Sequence, residues 1–277
     1  MVERILESAY FDAAATLECG QTFRFFEKDG KTTVLSSDRA CCLKNTDGGV
    51  LLRTKDEDFD YFFRYFDMQR DYSPIYEFAC KEGGAVRAAA RAGKGIRILN
   101  QNTEETFFTF LLSQNNNIPR IRGLVERLCS ALGSRFVFEG CEYFSFPSAE
   151  KMAEKNAAFY SSLGFGYRAA YVADCACRIA DTDLSAFRAL STPQLREKLC
   201  TFSGVGPKVA DCILLFGFHR TDVFPVDTWI EKTYRSEFGG KETDRKKIAE
   251  YFIRRFGEFG GYVQQYLFYA KREGVLD

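Results

Sequence analysis

The 277-residue sequence is short of several things, and each shortage removes a class of function. It has one histidine, His219, so a multi-histidine zinc site cannot be built. It has no net charge: 38 Lys and Arg stand against 38 Asp and Glu, and neither residues 1–102 nor 103–277 carry a surplus of more than one. That balance excludes a protein that coats nucleic acid by charge alone. Any nucleic-acid partner must be held by local geometry. Long apolar runs are missing too. The longest nearly unbroken one, Cys212–Phe218, has seven residues, against the ~20 needed to cross a bilayer. The first ten residues, MVERILESAY, hold no apolar signal stretch. The expectation is an intracellular protein without a membrane partner: cytoplasmic, and nucleoid-associated if bacterial. The ten cysteines contain no CxxC pair and none follows position 212. They read as reduced, partly buried thiols, not as a disulfide framework.

What is present is ordinary globular material, 46% hydrophobic and 27% charged, enough to bury a sizeable core. Residues 1 to about 55 read as short strands. Gln21–Glu27 and Lys31–Ser36 are rich in aromatic or β-branched side chains, Ala40–Lys44 reads as a third short strand, and DG at 29–30 and DGG at 47–49 are turn signals. From Asp56 the period changes, and Phe59, Phe62, Phe63 and Phe66 recur at helical spacing. Helices follow over Thr103–Ser113, Pro119–Leu132, Ser148–Phe159, Arg168–Ile179, Thr192–Phe202, Pro207–Phe218, Thr228–Phe238, Asp244–Phe256 and Gly261–Arg272. The stretch 79–101 carries no readable pattern. The fold class is α+β, an antiparallel sheet followed by a mostly helical body. It divides into residues 1–102, the sheet with trailing helices, and 103–277, the helical part, whose last helix packs back toward the first domain.

The segment Leu199–Asp227 carries the chemistry. Gly204 and Gly206 sit between two helical runs, and Pro207 opens the second, where its missing N–H costs nothing. This is a helix, a tight hairpin and a helix whose free N–H groups suit a phosphate. It is not a Walker A loop, because no hydroxyl follows the lysine in GVGPKV. Lys208 is the second residue of that helix, where the dipole disfavours a cation. A lysine whose ammonium form is disfavoured can act as a nucleophile. Cys212, four residues on, faces the same way. Asp227 precedes Thr228 as a helix N-cap and is a fixed, ionised charge.

GVGPKVADC with Asp227 nineteen residues after the lysine resembles the helix–hairpin–helix DNA glycosylases. CGQTFRF at 19–25, SQNNNIPRIRGLVERLC at 113–129, LGFGYRAAYV at 163–172 and QQYLFYAKR at 264–272 narrow the resemblance to 8-oxoguanine DNA glycosylases of the eukaryote-like branch. The four-cysteine loop of the endonuclease III and adenine glycosylase branches is absent, so no iron–sulfur cluster is implied.

The resemblance implies a TBP-like sheet domain, a helix–hairpin–helix body and a bifunctional glycosylase/lyase of base-excision repair. Its partner would be double-stranded DNA containing 8-oxoguanine, met by a monomer. Lys208 matches the lysine that attacks C1′, and Asp227 the catalytic carboxylate. Gly20 matches the residue whose carbonyl tests for N7–H, which the oxidised base has and guanine lacks. Phe268 and Cys212 match the two faces of the base pocket, and Gln264 the reader of its Watson–Crick edge. Asn115, Arg120, Tyr167 and Arg168 match residues that fill the gap, wedge the stack and hold the estranged cytosine. Gly204 and Gly206 belong to the DNA-binding hairpin. The carbonyls of Cys200, Phe202 and Val205 match ligands of a hairpin cation, monovalent or Ca/Mg; no cofactor is implied for the chemistry. Two positions depart from the eukaryotic pattern. Trp229 stands where that pattern has a phosphate-binding histidine, and Pro119 where it has a small residue. The alternatives are a glycosylase for another damaged purine and a non-catalytic DNA-binding module.

Overall fold

The computed structural model describes residues 1–7 and 9–276. Five strands open the chain: β1 Val2–Leu6, β2 Phe25–Lys28, β3 Lys31–Ser36, β4 Arg39–Thr46 and β5 Gly49–Thr54, with one helix, α1 Ala13–Glu18, between the first two. They form an antiparallel sheet in the order β1-β5-β4-β3-β2. Asp29 and Gly30 both take positive φ, 52° and 69°, which joins β2 and β3 by a tight hairpin. Period-two alternation sends Val34 to one face and Leu35 to the other. Val34, Cys41, Leu43 and Leu52 pack beneath α1 and the Phe59, Phe62 and Phe66 rings of α2, Phe59–Tyr65.

The opposite sheet face holds Leu35, Ala40 and Cys42, and it is covered by a second hairpin, β6 Arg135–Phe138 with β7 Cys141–Phe144. The sequence reading did not anticipate these two strands within the helical body. Nor did it anticipate α1, which lies in a stretch read as strands. The strand expected over Gln21–Glu27 starts only at Phe25. Gln21 and Arg24 instead bury their polar heads and hydrogen-bond to segments distant in the chain. Arg24 pairs with Glu105 at 3.3 Å and donates to the carbonyls of Ser37 and Phe144, so one buried guanidinium ties sheet, helix and second hairpin together.

The remaining helices are α3 Ser73–Glu82, α4 Gly84–Ala92, α5 Thr103–Leu112, α6 Ile118–Leu132, α7 Ala149–Ala153, α8 Ala157–Ser162, α9 Arg168–Ala180, α10 Thr192–Cys200, α11 Pro207–Gly217, α12 Thr228–Phe238, α13 Arg245–Phe256 and α14 Gly260–Arg272. Asn102 and Asn117 cap α5 and α6 with their side-chain oxygens. The single helix expected over Ser148–Phe159 is two, because Asn156 caps a new start by accepting from the Phe159 amide at 3.1 Å. The stretch 79–101 holds the end of α3 and all of α4, and Ile75, Ala79, Val86 and Ala89 of these two helices join the core of the helical body, not that of the sheet. α14 lies across α4, and Arg272 in its last turn donates to the carbonyl of Glu18 at the end of α1. Among the described residues all ten cysteines are free.

His219 sits at φ 55° after α11, mostly buried, with Nε2 3.6 Å from Asp67 Oδ2. Burial lowers its pKa below the ordinary imidazole value; Asp67 opposes this and Arg70 adds to it. The unfolded chain therefore binds this proton more readily, so stability falls as pH drops through about 6.5. His219→Asn retains a residue that tolerates positive φ and removes the titration. The variant should lose less melting temperature than the parent between pH 7.5 and 5.5; parallel losses would refute the assignment.

Candidate active site

α10, the turn after it and α11 form the helix–hairpin–helix. The turn closes when the Val205 amide donates to the Phe202 carbonyl at 3.0 Å. Gly204 has φ 76°, and a Cβ there would stand 2.5 Å from the Tyr171 ring, so a side chain is refused twice over. Gly206 caps α11 with no side-chain partner for the first amides, and a Cβ on it would meet nothing within 4 Å. The positive end of α11 is thus open for an anion. The hairpin's own donors to a cation are backbone carbonyls, which suit a hard ion. That of Phe202 already accepts one N–H and keeps a second lone pair.

A cleft of about 360 Å³ opens beside this hairpin, and Gly20, Lys208, Cys212, Asp227, Gln264 and Phe268 all line it. Residues expected from three separated segments, 19–25, 199–227 and 264–272, therefore line one cleft. Lys208, half-buried on the first turn of α11, holds Nζ 5.9 Å from the centroid of the Phe110 ring. Cys212 stands one turn below. Burial pushes its thiol up to about 11; the Lys208 amine pulls the other way and the Asp227 carboxylate pushes with burial. The thiol therefore stays protonated near neutral pH and offers a small apolar surface.

Asp227 is held by α12. Its Oδ1 accepts from the amides of Trp229 at 3.0 Å and Ile230 at 2.9 Å. The carboxylate is therefore oriented by backbone and sits at a positive helix end. Trp229 also lines the cleft and is partly exposed, with Lys232 Nζ 5.5 Å from its ring.

Gly20 has φ 78°, and a Cβ on it would come within 3.2 Å of the Phe268 ring. Glycine is what lets this backbone approach the ring. The turn is anchored next door by Gln21, a fully buried amide that the sequence reading quoted but did not single out. Its Nε2 donates to the carbonyls of Thr16 at 2.9 Å and Arg97 at 2.7 Å, and its Oε1 accepts from the Leu99 amide at 2.8 Å. A second missed residue is Gln265, which lines the cleft beside Gln264; the doubled amide in QQYLF was its signal.

The residues expected to face the opposite strand are less uniform. Asn115, with φ 44°, and Arg120 are exposed on the loop and helix start after α5. Tyr167 is exposed and its hydroxyl donates to the Gln114 carbonyl at 3.3 Å. Arg168, by contrast, is 3% exposed, and its guanidinium donates to the carbonyls of Gln114 and Asn115. Arg168 supports the 114–115 turn through Nε and Nη2.

Fold and cleft together define a helix–hairpin–helix protein whose second hairpin helix carries a lysine into a cleft that is also lined by a helix-capping aspartate. Residues 108–258 match the HhH-GPD superfamily base excision DNA repair protein model, and residues 4–107 match the 8-oxoguanine DNA glycosylase N-terminal domain model. The chain belongs to the HhH-GPD superfamily of base excision DNA repair proteins, in the branch that carries the 8-oxoguanine DNA glycosylase N-terminal domain. It is 31% identical over 247 residues to a "Probable N-glycosylase/DNA lyase" of Methanothermobacter thermautotrophicus, covering 81% of this chain and 78% of that one. The structure of MBOgg1 in complex with a low-affinity DNA ligand superposes with a TM-score of 0.92 at 34% identity, over 99% of both chains. The Clostridium acetobutylicum 8-oxoguanine glycosylase/lyase, in complex with double-stranded DNA containing cytosine opposite 8-oxoguanine, gives a TM-score of 0.92 at 31% identity, over 96% of this chain and 93% of that one.

The two hairpin glycines should separate cleanly on substitution. Gly204→Ala combines a left-handed backbone with overlap on Tyr171, and should cost at least about 2 kcal/mol. Gly206→Ala has open space and should change stability by less than about 1 kcal/mol. Urea unfolding of both variants decides it; equal losses would contradict the geometry.

Proposed function

We propose that this protein removes 8-oxoguanine, preferentially opposite cytosine, from double-stranded DNA and then cleaves the strand as an AP lyase. The observation that carries the reading is the convergence of Lys208, Asp227, Cys212, Gln264 and Phe268 on one cleft. Its size suits a single extruded base, and such enzymes must take the base out of the stack to reach C1′.

The Lys208 amine attacks C1′ as the N-glycosidic bond breaks, and the base leaves with the bonding electrons. Displacement builds positive charge on the sugar. Asp227, fixed by two amides, lies where that charge develops and lowers the barrier without reorganising. Loss of the amine proton and opening of the sugar give a Schiff base between Nζ and C1′. Removal of a C2′ proton then expels the 3′ phosphate, which is β-elimination. Phe268 stacks on one face of the base and the protonated Cys212 packs on the other. The Gly20 carbonyl accepts from N7–H of the oxidised base and repels the N7 lone pair of guanine. Because an unpaired buried acceptor is costly, this one contact separates lesion from normal base by orders of magnitude.

The open end of α11, with Gly204 and Gly206 in the hairpin, takes a DNA phosphate. A cation on the carbonyls of Cys200, Phe202 and Val205 would complete that grip. Trp229 supplies at most one neutral donor toward the backbone. Asn115, Arg120 and Tyr167, exposed on one side of the cleft, face the gap and the estranged cytosine. Arg168 joins them. The protein works as a monomer in the cytoplasm, at the nucleoid if its host is bacterial. No described helix is long and apolar enough to cross a membrane. The lysine beside the carboxylate argues against a mere DNA-binding module, which would bind damaged and intact duplexes equally.

Borohydride trapping on a duplex with one 8-oxoguanine opposite cytosine should give a covalent adduct, absent with Lys208→Gln and on undamaged DNA. Release of free base without an adduct would mean that water, not Lys208, attacks C1′. Asp227→Asn keeps an equally good helix cap and removes the charge, so it should slow excision on the order of 100-fold with little loss of stability. A second measurement addresses the exposed guanidinium. Arg120→Ala should narrow the preference for cytosine over adenine opposite the lesion more than it slows excision opposite cytosine. An unchanged preference would remove Arg120 from the opposite-strand set.

A further inference from the structure

Gln264 and Gln265 are 4% and 3% exposed on α14, and both line the cleft. Gln264 Nε2 donates to the Pro225 carbonyl at 3.2 Å, and its Oε1 accepts from Gln265 Nε2 at 2.8 Å. The order of atoms follows from Pro225. A carbonyl only accepts, so the amide atom facing it is the Gln264 nitrogen. The oxygen then points at Gln265, which must answer with N–H. Gln265 Oε1 is buried without a hydrogen-bond partner, so this side chain is not held by a saturated network of its own.

A lone glutamine amide can turn by 180° and exchange donor for acceptor at almost no steric cost. Here such a turn would set two NH₂ groups against each other at one end and two carbonyl oxygens at the other. We infer that Gln265 is a positioning residue that, with the Pro225 carbonyl at the opposite end, holds the polarity of the Gln264 amide and so biases which Watson–Crick edge the cleft accepts. The inference rests on the reading of this cleft as the site of an extruded purine.

The two oxidised purines differ in this respect. The 8-oxoguanine edge presents a carbonyl acceptor at C6 and N–H donors at N1 and N2. The 8-oxoadenine edge presents an amino donor at C6 and an acceptor at N1. For a base held in one pose, a locked amide matches one pattern and opposes the other. A free amide would serve both.

The test compares single-turnover release of 8-oxoguanine and 8-oxoadenine, each opposite cytosine, by the full-length parent, Gln265→Met and Gln265→Glu. Methionine keeps the volume and removes the donor. Glutamate places an acceptor against the Gln264 oxygen and drives the amide over. The ratio of the two rates should fall about tenfold in the methionine variant and at least as far in the glutamate variant, with faster release of 8-oxoadenine than by the parent. Ratios within twofold of the parent in both variants would overturn the proposal, since a merely structural role slows both bases together. A parent that releases neither base and forms no borohydride adduct on either duplex would instead overturn the reading of the site.

Discussion

The seating of α14 is the constraint on which the site depends. This helix is buried along most of its length, and two glycines set how closely it lies. A Cβ on Gly261 would stand 2.4 Å from Leu215 of α11, and one on Gly93 2.9 Å from Tyr266 of α14. The Gly261 amide donates to the Thr221 carbonyl at 2.7 Å, fixing the first turn. Helix–helix contact this close places Gln264 and Phe268 on the same wall as Lys208, more than fifty residues away in the chain. Without it the hairpin would hold a lysine and no pocket.

Two helix N-termini meet at that wall and are treated in opposite ways. α11 begins at Gly206 with no side-chain cap, leaving its positive end free for a phosphate. α12 begins at Asp227, whose carboxylate satisfies two of its amides. One end attracts an anion from outside the molecule, and the other keeps an anion inside it. In the proposed reaction the sugar is the link between them, bound through its phosphate and stabilised through its developing charge.

The sheet contributes less chemistry but sets one edge of the cleft. The Gly20 turn is held by Gln21 on one side and by the contact of Arg272 with Glu18 on the other. Arg24, buried among Glu105 and two carbonyls, joins the sheet to the helical body. Because removing one member of a buried ion pair leaves an uncompensated charge, the two parts are coupled energetically as well as by contact. A carbonyl that discriminates bases by one proton needs a platform of this stiffness.

Local patterns in the chain determined most of the helices, the first hairpin turn and the signal at Leu199–Asp227. Helix caps, glycine turns and 3.6-residue periods act over a few residues, so Asn102, Gly204 and Asp227 could be read before any packing was known. The outer hairpin, β6 with β7, escaped because it is short and is stabilised by the far face of a sheet a hundred residues earlier. α3 and α4 escaped because their small apolar faces gain meaning only against α14. At the site, residue types and spacing singled out Lys208, Cys212 and Asp227 as candidates, and the resemblance supplied their catalytic roles and the rest of the set. Only the tertiary structure decided that Arg168 is engaged with a loop, that Gln21 anchors the Gly20 turn, and that Gln265 donates to the side-chain oxygen of its neighbour. Each of these depends on hydrogen bonds to segments distant in the chain, or on which of two equal-sized amide ends meets a carbonyl, and neither is written in local sequence.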